Sequence, residues 1–378
     1  MSETWIWQQP DWPNFDWDKS LIEPRLRQLR QHLGILIGHS QSNLADQQER
    51  TLDTLLGNIL ASSAIENEIL DARSVRSSLA NKLGMDSNQP YPVSDRSEGI
   101  AQLMLDAIEN SHETVTVKRL CTWHHWLFPQ TEALLLSRPI LVGQLRGSEP
   151  MQVVSGRLDK PTVHYEAPPR DILEQQLDSF LHWFQQSLTD PLLDPLLRAA
   201  ITHLWFVTLH PFDDGNGRIT RALTDMALAQ ADHQSIRLYA MSAAILERRQ
   251  SYYDILESTQ RGDMDITPWL LWFFDTLEQT LDQALESIDR TLNKRRFWMK
   301  FHDAGLSPEQ IKVLNRLLDG GEKGFEDGIS SSQYQKVAKV SKATATRHLA
   351  DLLSKGCIEK LPGGGRSTRY RVTDSYIS

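Results

Sequence analysis

Apolar residues in this chain recur mostly at helical spacing. From Pro195 to Leu209 nearly every position is apolar (Leu196, Leu197, Ile201, Leu204, Trp205, Phe206, Val207), the pattern of a helix buried all round rather than one lying on a surface. Ile219, Ala222, Leu223, Met226 and Ala227 then recur at i, i+3, i+4, i+7 and i+8, which predicts a second helix from about Asn216. The same period fills residues 20–39, 46–60, about 96–110, 116–127 and a long amphipathic stretch over 266–290. One segment breaks it. Val153-Val154 and Val163-His164-Tyr165, separated by Ser155-Gly156 and Lys160-Pro161, predict a β-hairpin. Two strands alone are marginal, so a lone hairpin in a helical chain needs a reason. At the start, Trp5, Trp7, Trp12 and Trp17 stand among prolines, which block a regular helix, and so many indoles would not stay in water. Residues 1–18 therefore read as an extended arm packed across the rest, and the turn-rich residues 84–98 as a loop into the central helices. The fold class is mainly α.

Composition changes little in this picture. The 378 residues are 24% charged and 40% hydrophobic, enough for two or three soluble domains. Cys121 and Cys357 lie far apart and form neither a disulfide framework nor a CxxC site, which favours a reducing, cytoplasmic setting. The N-terminus has no basic and apolar signal regions, and no apolar run reaches the roughly 18 residues of a membrane span, so no membrane partner is expected. Charge is uneven: residues 329–378 carry nine Lys/Arg against three Asp/Glu, within a chain of net −9.

The chemistry concentrates between the two central helices, in Leu209-His-Pro-Phe-Asp-Asp-Gly-Asn-Gly-Arg-Ile-Thr-Arg221. Gly215, Asn216 and Gly217 fall at a helix N-terminus, where free N–H groups and the positive dipole end favour an anion. Glycine lets phosphate oxygens approach the backbone without a Cβ in the way. Arg218 and Arg221, three apart, can reach the same anion. Asp214 is placed to hold a hard cation such as Mg²⁺, and His210 is the obvious base. Phe212 would anchor the loop in the core and Asp213 would face solvent. Two metal readings compete. His203, seven residues before His210 and on the same helix face, could join it and Asp214 in a hydrolase-type metal site, but the glycines and arginines would then have no role, and a hydrogen-bonded core histidine explains it better. In Trp123-His-His-Trp126 the adjacent histidines point to different faces, so core and surface roles are expected there.

The stretch His210-Pro-Phe-Asp-Asp-Gly-Asn-Gly-Arg-Ile-Thr-Arg221 resembles the Fic motif HPFx(D/E)GNGRxxR at all nine defined positions. The resemblance implies a Fic-type helical core with a β-hairpin flap and an activity as a protein adenylyltransferase: AMP moves from ATP to a hydroxyl side chain (Ser, Thr or Tyr) of a target protein. In that scheme His210 is the catalytic base and Asp214 holds Mg²⁺. Gly215, Asn216 and Gly217 give amide donors, with a side-chain contact from Asn216, while Arg218 clamps the β-phosphate and Arg221 the γ-phosphate. The hairpin matches the Fic flap, so Val153, Val154, Ser155 and Gly156 would cover the nucleotide and align the target as an added strand. Tyr252, Tyr253 and Gln260 fall where the family sets residues against the adenine. Ser62-Ser-Ala-Ile-Glu66-Asn67 resembles the family's inhibitory-helix motif (S/T)xxxE(G/N), in which the glutamate, here Glu66, takes Arg221 from the γ-phosphate; a carboxylate and a phosphate compete for one guanidinium. The Trp-rich opening resembles the N-terminal region of a bacterial subgroup of Fic proteins. Retained inhibition leaves AMP removal as a second activity, and a homodimer in which Glu66 acts across chains stays open.

Residues 306–378 differ in character. Ser307-Pro308 opens a helix, Ser332 to Leu349 reads as helix-turn-helix with a second helix over 343–355, and Ile358-Glu-Lys and Arg369-Tyr-Arg-Val bracket Gly363-Gly-Gly365 as a wing. This resembles a C-terminal winged helix-turn-helix domain, for which DNA and protein partners both remain open. The expected domains are 1–95 (arm and inhibitory helix), 96–290 (Fic core) and 300–378 (winged helix). The rival from another class is a winged-helix transcription regulator whose core only senses nucleotide; an intact His210 argues against it.

Overall fold

The computed structural model describes residues 4–40, 44–85, 91–129, 140–157, 160–231, 239–320, 325, 328–362 and 368–373. Its contacts divide the chain into two units, Met1–Asp282 and Gln283–Ser378. In chain order the first holds α1 (Lys19–Ser40), α2 (Leu44–Ile65), α3 (Ala72–Lys82), α4 (Asp95–Glu109), α5 (Val117–Leu127), the strands β1 (Gln152–Arg157) and β2 (Lys160–Glu166), α6 (Arg170–Gln186), α7 (Pro195–Leu209), α8 (Asn216–Ala231), α9 (Met241–Glu247), α10 (Arg249–Gln260) and the start of α11 (Thr267–Lys300). The fold is mainly helical. Among the described residues no helix is long and apolar enough to cross a membrane.

The first unit is built around α7. Asp194 caps it by accepting from the Leu196 N–H at 2.9 Å, with Pro195 in the first turn, and every residue from Leu196 to Leu209 is buried. Its all-round apolar sequence is thus used all round: α8 packs along one side, α6 on another, and Trp269 of α11 donates to the Ala200 carbonyl at 3.0 Å. α2 and α4 cover the far side of α8. Asn58 fixes α2 there, donating to Asp225 of α8 at 2.6 Å and accepting from the Ser242 N–H at 3.0 Å.

The aromatic arm does pack. Trp7 Nε1 donates to the Glu166 carbonyl (2.8 Å), Trp12 Nε1 to Gln176 (2.7 Å), and Trp5 meets Tyr165 edge-on at 5.3 Å. It is not wholly extended, because Ile6–Gln8 closes a 3₁₀ turn. The hairpin is longer than its apolar residues suggest: Ser155, Gly156, Lys160 and Pro161 lie within the strands. Its antiparallel register pairs Val153 with Tyr165 and Val154 with Val163, so His164 is an extra, bulged residue. Of the loop expected over 84–98, residues 86–90 lie outside the described residues, and α4 already begins at Asp95.

The second unit contains α12 (Pro308–Asp319), β3 (Ile329–Ser330), α13 (Ser331–Ala338), α14 (Lys342–Ser354), β4 (Ile358–Lys360) and β5 (Arg369–Val372), with a three-stranded antiparallel sheet in the order β3-β5-β4. Ser307 and Gln310 form a capping box at the start of α12. Val313, Leu314, Tyr334, Leu349, Leu352 and Ile358 make its core, together with Phe297 and Phe301. Phe297 lies in α11, which runs through Asn293-Lys-Arg-Arg296, and Phe301 follows directly on its last residue, Lys300. That basic stretch, whose run of Lys and Arg after the 266–290 stretch reads in sequence as a linker, is helix. The edge strand β3 carries too short an apolar pattern to be read, and Gly363-Gly-Gly365 lies outside the described residues.

Candidate active site

The loop between α7 and α8 is held from several sides. α7 ends on His210 in the left-handed region (φ 48°), which turns the chain sharply while the imidazole stays on the helix end. Its Nδ1 lies 3.0 Å from the Val207 carbonyl. A carbonyl only accepts, so Nδ1 carries the proton and Nε2 holds the lone pair. Burial lowers the His210 pKa from its ordinary value, the nearby Arg146 adds to this, and the imidazole is neutral at pH 7. Arg146 pins the loop: its Nε donates to the His210 carbonyl at 2.8 Å and its N–H to the Pro211 carbonyl at 3.0 Å. Phe212 is fully buried, as expected, and stacks on His124 with centroids 4.5 Å apart. His124 accepts from the Gly143 N–H at 2.9 Å, and its Nε2 lies 3.2 Å from the Asp214 carbonyl, so it bridges two segments; burial pushes its pKa down to about 4 and keeps it neutral.

Two side chains are tied into the loop here. Asn216 uses both ends of its amide inside the loop, accepting from the Phe212 N–H (2.9 Å) and donating to the Phe212 carbonyl (2.7 Å), so its side chain shapes the loop while one of its two amide N–H groups is not used there. Asp213 is half-buried and caps the Leu141 N–H at 2.9 Å. Gly215 needs to be glycine: its φ is +76°, and a Cβ would stand 2.9 Å from the Phe128 ring.

The arginines are already occupied. Arg221, 2% exposed, donates from Nε to Ser62 Oγ (2.9 Å) and from Nη2 to the Ser62 carbonyl (2.8 Å) and to Glu66 Oε1 (2.8 Å). Burial pushes the Glu66 carboxyl up, but Arg221, with Arg218 and His210 adding, outweighs it and holds the carboxyl below the ordinary range. Gly217 makes room for this contact, since a Cβ there would stand 2.0 Å from Glu66 Oε1. A second carboxylate was not foreseen. Glu68 pairs with Arg218 at 2.5 Å and, through its other oxygen, with Arg96. On a continuing helix residues 66 and 68 would point apart, but α2 ends at Ile65 and Asn67 turns with φ 60°, so both carboxylates reach the arginines. Arg218 Nε and Arg221 Nη1 remain buried donors with no hydrogen-bond partner among the described residues.

A cavity of about 630 Å³ opens over this loop. His210, Asp214, Gly215, Asn216 and Gly217 form its floor, Val153, Val154 and Ser155 its flap side, Tyr252, Tyr253 and Gln260 its α10 side, and Glu66 reaches into it. Gly156, Ser62 and the two arginines do not line it; the arginines sit behind their carboxylates. Tyr253 donates to the Ile65 carbonyl at 3.1 Å and Gln260 to Thr208 at 3.3 Å. His203 is fully buried, with one nitrogen 2.9 Å from Thr224 Oγ1 and the other 2.9 Å from the Tyr252 hydroxyl, so it is not available to a metal.

Asp214 is exposed, accepts from the Gly215 N–H at 2.5 Å and lies 3.8 Å from Arg218. Among the described residues no group of three His, Cys, Asp or Glu is placed to hold a metal ion. The described residues alone therefore build no metal cage. The exposed Asp214 carboxylate beside the glycine-rich helix start does fit Mg²⁺ arriving with phosphates, because that ion takes few protein ligands and completes its shell with phosphate and water.

A neutral imidazole, a glycine-rich helix start and, behind their carboxylates, two buried arginines thus meet beside one cavity. Residues 114–228 match the Fic/DOC family model, and residues 5–85 match a domain of unknown function, DUF4172. The chain carries a Fic/DOC domain. It is similar to the protein adenylyltransferase Fic of Aedes aegypti, 26% identical over 272 residues (70% of this chain, 48% of the relative), and to that of Culex quinquefasciatus, 27% identical over 240 residues (62% and 42%). The chain spans about half the length of the curated relatives it matches. Its fold is similar to that of a solved Fic-1 from Caenorhabditis elegans, with a TM-score of 0.50 at 20% identity, covering 72% of this chain and 74% of that one.

Proposed function

We propose that this chain is a protein adenylyltransferase, moving AMP from ATP to a hydroxyl side chain of a target protein, and that Glu66 restrains it. The observation that carries the reading is the lone pair of the neutral His210 Nε2 on a cavity whose floor is the glycine cradle. His210 takes the proton of the acceptor hydroxyl as that oxygen attacks the α-phosphorus. The N–H groups of Gly215 and Gly217 receive phosphate oxygens, and Arg218 and Arg221 hold the β- and γ-phosphates once their carboxylates withdraw. Asp214 would hold Mg²⁺, which neutralises charge on the leaving pyrophosphate. The flap strand β1 offers the target a backbone edge, and Tyr252, Tyr253 and Gln260 flank the adenine. The relatives' names support the same activity.

The buried Arg221–Glu66 contact supports restraint, because a γ-phosphate and this carboxylate cannot share one guanidinium. The test uses wild type, Glu66→Gly and Glu66→Gly/His210→Ala with ATP labelled at the α- or the γ-phosphate. Expected is α-label on lysate target proteins that is strong in Glu66→Gly and absent in the double variant. Transfer of γ-label would move the enzyme to a kinase-type reaction. No label on the chain or on lysate proteins would remove the transfer reading.

We read the second unit as a winged helix in the same proposal. Its surplus of basic residues suits a phosphate backbone, and its helices suit a protein partner, including a second copy of the chain. Salt-dependent retention of duplex DNA separates the two.

A further inference from the structure

A second set of reactive groups lies on the flap side of the same cavity. Ser155 Oγ on β1 lies 2.6 Å from His164 Nε2 on β2, and His164 Nδ1 lies 2.7 Å from Glu257 Oε2 on α10. A carboxylate only accepts, so Nδ1–H donates to Glu257, and the lone pair of Nε2 faces the serine hydroxyl. Glu257 is steadied in turn by Arg261, whose Nε lies 3.3 Å from its other oxygen and whose Nη2 donates to the Val163 carbonyl at 2.9 Å. Hydroxyl, imidazole and carboxylate thus follow the nucleophile–base–orienter order that activates serine.

The hairpin is shaped for this. In a regular antiparallel pair His164 would stand across from a residue of β1, and the alternation of faces would fix its direction. The bulge leaves it without an opposite residue and re-aims the ring toward Ser155 and Glu257. Ser155 is exposed, and all three side chains line the cavity that His210 and the glycine cradle also line.

We propose that Ser155 is a second nucleophile of this protein, a built-in acceptor that takes AMP from the nucleotide in that cavity, with His164 as its base and Glu257 as a positioning residue. The proposal rests on the adenylyl-transfer reading for the electrophile. Ser155 Oγ attacks the α-phosphorus, a P–Oγ bond forms, and the bond from that phosphorus to the oxygen bridging to the β-phosphate breaks. Pyrophosphate leaves with the electron pair, and the hydroxyl proton passes to His164 Nε2. The product is an AMP ester on the flap strand.

Two measurements test this on the full chain. In the first, a fluorophosphonate, which needs neither ATP nor His210, is offered to wild type, Ser155→Ala, His164→Gln, Glu257→Gln and His210→Ala, and adducts are mapped by mass spectrometry. Expected is an adduct at Ser155 in wild type and in His210→Ala, none in Ser155→Ala, and a rate at least about tenfold lower in His164→Gln and Glu257→Gln. A hairpin tied to α10 for structural reasons alone would give no adduct, or equal rates in all variants that keep the serine. In the second, Glu66→Gly receives α-labelled ATP together with lysate proteins, and AMP is sought on Ser155. AMP there, reduced at least about tenfold by His164→Gln, supports the proposal. Label on lysate proteins with Ser155 unmodified overturns it and leaves the transfer reading standing. A Ser155 fluorophosphonate adduct with no α-label on any protein overturns both the transfer reading and the acceptor role.

Discussion

At the scale of single residues, the state of His210 is set by its surroundings. Burial and Arg146 hold its pKa below the ordinary 6.5. A base must be unprotonated to work, so the rate in Glu66→Gly should stay level from pH 8 down to about 6.5 and fall only as pH drops through the lowered value. The Glu66 carboxyl is also held below its ordinary 4.5, so its pairing with Arg221 is present above that value and is lost only as pH falls through the lowered one. Wild type should therefore show no activation at mildly acidic pH. A kcat/KM profile from pH 5 to 8 checks both expectations. A base limb centred above 6.5, or wild-type activation near pH 6, would contradict the geometry. Residue types and spacing made His210, Asp214, the glycines and the arginines legible in the sequence. The two-ended engagement of the Asn216 amide was not, because both its partners are backbone groups of Phe212.

At the scale of elements, the turn that ends α2 engages more than one arginine. Glu66 and Glu68 come from one turn and neutralise the two arginines separately. Glu66→Gly alone leaves Arg218 paired. Adding Glu68→Gln should tighten ATP binding by a further factor of about ten, equivalent to about 1.4 kcal/mol. Titration calorimetry with a non-hydrolysable ATP analogue would measure this, with melting curves as a control for folding. Equal affinities in the single and double variants would show that Glu68 only shapes the turn. Pattern located the helices well, since Pro195–Leu209 and the start at Asn216 agree with the structure. It could not show Glu68 beside Arg218, because that contact depends on a left-handed Asn67 that ends helical spacing. Nor could it show His124 beneath Phe212, since Trp123-His-His-Trp126 says only that one ring is buried.

At the scale of the whole chain, the boundary of the second unit follows from who fills its core. The sequence sets a natural start at Ser307-Pro308, after a basic stretch that looks like a linker. In the structure that stretch lies within α11, which brings Phe297, fully buried, and Phe301, 9% exposed, into the core with Val313, Leu314 and Tyr334. Lys294 adds a 2.6 Å ion pair to Asp319. Truncating one buried phenylalanine to alanine removes about 3–5 kcal/mol, and a small domain holds only about 5–15 kcal/mol in all. A fragment of residues 283–378 should therefore melt in one cooperative transition. A fragment of residues 306–378, which keeps α12–α14 and the sheet but loses both rings, should be largely unfolded at 25 °C. Circular dichroism melts of the two fragments decide it. Equal stability would mean that α11 only covers a core complete without it, and the boundary would return to Ser307; an unfolded 306–378 would make the end of α11 part of the second domain.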